Sequence, residues 1–137
     1  MSDNPSFIKN LDGRQCIAAL HVALSLADFV GRGNVIDVEV PNDAQVIGGN
    51  IVVTDAFNTT STDTLAVGTP DSAARYMAAT SLKTPALTAV VPTGYQHSTD
   101  HNIVRLTRTP ADAAATKGTV IVTVQYVELG KAEWTQG

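Results

Sequence analysis

Apolar residues recur at every second position through much of this chain, and clusters of turn residues break that rhythm at short intervals. Side chains that alternate in this way point to opposite faces of an extended strand. In residues 119–129, Val120, Val122, Val124, Tyr126 and Glu128 alternate with Ile121, Thr123, Gln125, Val127 and Leu129, the clearest strand pattern in the sequence. In residues 35–40, Ile36, Val38 and Val40 alternate with Val35, Asp37 and Glu39, which predicts a half-exposed strand with its acids outward. Residues 103–109 set Val104, Leu106 and Arg108 against Ile103, Arg105 and Thr107, a strand with one wet face.

The longest extended stretch is residues 44–57, apolar and β-branched, with no charge before Asp55. Residues 58–63 (Asn-Thr-Thr-Ser-Thr-Asp) are turn chemistry, and Leu65-Ala66-Val67-Gly68 follows. This predicts a long buried strand folding back on a partner. Gly48-Gly49 within it suggests a bulge or a close backbone approach.

Residues 14–30 fit two readings. Ala18, Ala19, Leu20, Ala23 and Leu24 would suit a helix. The alternation of Cys16, Ala18, Leu20, Val22, Leu24 and Leu26 favours a strand with one deeply buried face. Gly31-Arg32-Gly33-Asn34 ends the segment in either case. Residues 73–82 read as a helical turn, which Ser72 would cap, or as an irregular strand. Residues 87–91 form a short strand closed by Pro92-Thr93-Gly94, residues 97–100 a polar tip, and residues 110–117 an alanine-rich loop.

Seven or eight short strands without a long helix predict an all-β fold, a two-sheet sandwich resembling a jelly roll. The expected organisation is an N-terminal arm (residues 1–13), one β-domain (residues 14–130) and a C-terminal tail (residues 131–137). At 137 residues the chain can bury a core within one domain.

Composition sharpens this picture in three places. Charged residues make up only 16% of the chain, so small apolar and hydroxyl groups must cover much of its surface, which suits a protein flanked by other subunits. The formal charge of −4, with scattered basic residues, argues against nucleic-acid binding. The single cysteine, Cys16, excludes an intrachain disulfide framework and suits burial as a small hydrophobe. No signal peptide is expected at the N-terminus. No apolar stretch is long enough for a membrane helix, so no membrane partner is expected.

Candidate chemistry is sparse. His97, Asp100 and His101 offer two imidazoles and a carboxylate, but they lie in a loop where nothing fixes their geometry. The reading is a solvated tip, with no metal and no cofactor. His21 is expected to be satisfied by hydrogen bonds on or beside the core, and Asp37 and Glu39 to stay wet. No nucleophile elbow or phosphate loop is present, and Gly31-Arg32-Gly33 lacks the third glycine of a dinucleotide site. No catalytic residue emerges. Phe7, Ile8 and Leu11 in the arm and Trp134 in the tail are apolar groups at the chain ends, which makes them candidate subunit contacts.

One resemblance goes further. Residues 49–57 (Gly-Asn-Ile-Val-Val-Thr-Asp-Ala-Phe), residues 63–68 (Asp-Thr-Leu-Ala-Val-Gly), Arg75-Tyr76 and residues 124–127 (Val-Gln-Tyr-Val) resemble segments of small structural proteins of tailed bacteriophages. The likeness spans residues 44–130 and is nearest to the capsid cement, or decoration, proteins of Bordetella-type phage heads. It implies a jelly roll on the outer capsid surface of the virion, made in the bacterial cytoplasm and bridging major capsid protein subunits. It implies self-association too, a homodimer before a trimer, and no enzymatic activity. The alternatives are a tail or head–tail joining component and a carbohydrate-binding sandwich module, though the few aromatics count against the latter. A cupin-type metalloenzyme would need ligands that His21, His97 and His101 do not supply.

Overall fold

The computed structural model describes residues 17–97 and 102–128, in which eight strands and one short helix follow each other. The elements are β1 (Ala18–Ser25), α1 (Leu26–Val30), β2 (Val35–Glu39), β3 (Ala44–Asp55), β4 (Asp63–Thr69), β5 (Ser72–Ser81), β6 (Leu87–Ala89), β7 (Ile103–Pro110) and β8 (Thr119–Glu128). They form two four-stranded sheets, β1-β8-β3-β6 and β2-β7-β4-β5, and every pairing is antiparallel.

The pairing has a simple rule. First pairs with last, β1 with β8, then β2 with β7, β3 with β6 and β4 with β5. This is one long antiparallel ribbon, and rolling it up adds the contacts β3–β8 and β4–β7 that join the halves of each sheet. The result is the eight-stranded jelly roll that the alternation suggested.

The inward positions supply the core. Leu24, Val46, Ile51, Val53, Val120, Val122 and Val124 come from one sheet, and Ile36, Leu65, Val67, Met77, Val104 and Leu106 from the other. Phe29 and Phe57 add an edge-to-face ring pair with centroids 6.2 Å apart.

Several expectations are corrected. The described part of this segment, residues 17–30, is neither strand nor helix throughout: β1 stops at Ser25 and α1 starts. Ser25 causes the switch, because its hydroxyl accepts from the Asp28 amide while the Asp28 carboxylate accepts from the Ser25 amide, a reciprocal cap. The inward face of β1 is also less buried than expected. Only Leu24 is fully covered, because β1 is an edge strand.

The long strand does not fold back on the segment after its turn, for β3 and β4 lie in different sheets. A tight hairpin would keep both strands in one sheet. Residues 58–63 instead span the gap of about 10 Å between layers, and Asn58 moors the crossing. Its side chain donates to Thr116 Oγ1 at 2.9 Å and accepts from the Thr116 amide at 2.7 Å. Residues 72–81 are a strand with two register irregularities, so Ser72 caps no helix. The bulge expected at Gly48-Gly49 is present, with the register shifting between Val46 and Gly48.

Candidate functional site

The expected subunit contacts Phe7, Ile8, Leu11 and Trp134 lie outside the described residues, as do Cys16, Asp100 and His101. His97 is described, and it is not a solvated tip. It is fully buried, its Nε2 sharing a 2.9 Å hydrogen bond with the Tyr76 hydroxyl. Tyr95 stands edge-on to its ring at 5.1 Å, and the Arg75 guanidinium lies 3.8 Å above Tyr95. The His97 amide donates to Ala44 O, and the Asp43 amide donates to His97 O. The imidazole thus ties the start of β3 to β5. Polar flanking residues pointed to solvent, and nothing in the sequence linked His97 to Tyr76. Among the described residues no group of three or more His, Cys, Asp or Glu side chains is placed to hold a metal.

Burial pushes the Tyr76 phenol up to about 12 from an ordinary 10.0. The fold favours the neutral phenol, so this stabilisation is fully present below the ordinary value and is lost as pH rises through the raised one. Absorbance titration of the protein's three tyrosines should show one ionising about two pH units after the ordinary value. In the Tyr76→Phe variant that late step should vanish.

A second buried polar cluster is centred on Arg108. Its alternation places it on the apolar face of β7, where its side chain is 3% exposed. Its Nε donates to Asp63 Oδ1 at 2.8 Å, and its Nη2 donates to Asp63 Oδ2, a two-pronged pair. Nη1 donates to Asn34 Oδ1 at 3.0 Å, and the Thr59 hydroxyl donates to Asp63 Oδ2. The guanidinium stands 5.2 Å from the Phe57 ring centroid. Asp63, which reads as the last turn residue, is the first residue of β4 and fully enclosed. With each guanidinium nitrogen and both carboxylate oxygens engaged, the cluster ties the crossover to β7.

A cavity of about 360 Å³ opens beside it, lined by Leu26, Val30, Asn34, Arg108, Pro110 and Asp112 among others. Arg108, the buried charge in its lining, is already paired with Asp63.

The two outer faces differ in charge. On the β2-β7-β4-β5 sheet, Asp37 and Arg105 are directly opposed and form a two-pronged ion pair, with distances of 2.7 and 2.9 Å. The Arg105 hydrogen bonds hold the Asp37 carboxyl below the ordinary carboxylate range. Glu39 beside them accepts from Asn102. The expected wet acids are therefore partly engaged. On the β1-β8-β3-β6 sheet, His21 is exposed and hydrogen-bonded across the strands to Thr123 Oγ1 at 2.8 Å. It is satisfied, as expected, but it faces outward.

No family profile and no curated protein sequence matches the chain. Among solved structures, a chain of the cyanophage Pam1 capsid asymmetric unit shares its fold, with a TM-score of 0.69 and 21% identity. The match covers 93% of this chain and 97% of that one, so the two are of nearly equal length and the likeness runs almost end to end.

Proposed function

We propose that this chain is a structural protein of a tailed-phage virion, one that binds the outside of the capsid and bridges major capsid protein subunits. The observation that carries this reading is the nearly end-to-end likeness to a chain from a phage capsid asymmetric unit. It agrees with the independent resemblance of residues 44–130 to capsid cement proteins. The buried polar groups support it too, since Arg108, Asp63, Tyr76 and His97 are spent on each other.

Mechanically, pairing β1 with β8 holds the first and last described strands together in one double-layered block. A modest contact repeated over a closed lattice gains strength through multivalency. Phe7, Ile8 and Leu11 in the arm and Trp134 in the tail are proposed as additional contacts, to the shell or to a second copy. The test is co-sedimentation with expanded heads that lack the protein. Saturable binding, and heads that retain DNA at higher temperature, are expected. Absence of binding at micromolar concentration would contradict the reading. Removing residues 1–12 should weaken binding, and unchanged binding would exclude the arm.

A further inference from the structure

We propose that the outward face of the β1-β8-β3-β6 sheet is the surface that docks on the capsid shell, against a flat and largely uncharged protein surface. This rests on the capsid reading above.

The register places the outward residues in rows. Ala23, Ile121, Val52 and Leu87 are mutually opposed and form an apolar row across all four strands. The next row is His21, Thr123, Asn50 and Ala89. Beyond it Ala19 and Gln125 face each other beside Gly48. None of these residues is Asp, Glu, Lys or Arg. Leu87 is 63% exposed, a large apolar group left in water on an edge strand. The opposite sheet carries Asp37, Glu39 and Arg105 outward, so the contrast belongs to this face and is not general to the molecule.

Charge and area together choose the occupant. Desolvating these three rows costs no ionised group, the first carboxylate on this face being Asp55 opposite Thr119 at its end, whereas covering the other face would strip water from Asp37, Glu39 and Arg105. At about 4.8 Å between strands and 3.3 Å per residue, the face measures roughly 15–20 Å by 25 Å, or about 400–500 Å². Two copies packed face to face would bury about 800–1,000 Å², short of the roughly 1,200–2,000 Å² typical of stable complexes. The same patch suffices when a lattice repeats it. The area therefore favours a shell over a second copy.

The test compares three chains for binding to expanded heads lacking the protein: wild type, the double variant Leu87→Asp with Ala23→Asp, and Thr109→Asp on the other sheet. All three substituted positions are exposed, so thermal melting should stay near the wild type. The proposal expects the double variant to lose binding at least tenfold while Thr109→Asp binds like the wild type. Undiminished binding by the double variant would overturn it, and so would an equal loss in Thr109→Asp. If light scattering finds a wild-type dimer that the double variant splits, the face belongs to self-association and the proposal also fails. Failure of the wild type itself to bind would instead remove the capsid reading.

Discussion

Replacing Asp63 with alanine is expected to destabilise the fold by about 3–5 kcal/mol, the usual cost of leaving a buried charge without its partner. Arg108 is almost fully enclosed, and Asp63 takes two of its hydrogen bonds. Without the carboxylate, the guanidinium keeps only Asn34 and the Phe57 ring. Thr59 loses its acceptor as well. Denaturant midpoints measure the loss. Replacing both partners, Asp63→Leu with Arg108→Met, removes the stranded charge and should recover most of the stability, because a well-packed apolar pair often matches a buried ion pair. A double variant as weak as Asp63→Ala would show that the loss comes from the crossover's shape and not from charge.

The second large effect is expected at Gly49. Its backbone lies at φ +137, and a Cβ there would meet Thr123 O at 2.1 Å and Val124 Cα at 2.9 Å. Both obstacles are backbone of β8, the central neighbour of β3, so neither can swing aside. Gly49→Ala therefore combines backbone strain with overpacking, each of order 1–3 kcal/mol, and should cost about 2–6 kcal/mol in sum. Gly48 next to it is a sharp control. Its Cβ would meet only the Gln125 side chain at 3.5 Å, an ordinary contact, so Gly48→Ala should be much milder. Urea unfolding of the two variants side by side decides the matter. Equal losses would mean that the bulge itself, and not the close approach, sets the cost.

The strands were legible because period two is a local property. Val120, Val122 and Val124 announce a buried face without reference to anything distant. Partners were not legible. Which strand pairs with which depends on the rolled ribbon, so the turn at residues 58–63 looked like a hairpin when it is a crossing between layers. The same limit hid both polar clusters. Arg108 reaches Asp63 and Asn34, and His97 reaches Tyr76, over 21 to 74 residues of separation. One signal was present, since the alternation aligns Arg108 with Val104 and Leu106, and an arginine on an apolar face calls for a buried carboxylate. Ser25 was the other, with Asp28 three residues on forming a capping box inside a segment that read as strand or helix.

The proposed role is adhesion to a shell at many equivalent places. The most direct measurement is a cryo-electron-microscopy reconstruction of heads saturated with the purified chain, set against bare heads. Added density is expected on the outer surface at symmetry-related positions, each fitted by the eight-stranded block with its β1-β8-β3-β6 sheet turned toward the shell. Saturated heads indistinguishable from bare ones, or added density only inside the shell, would contradict it.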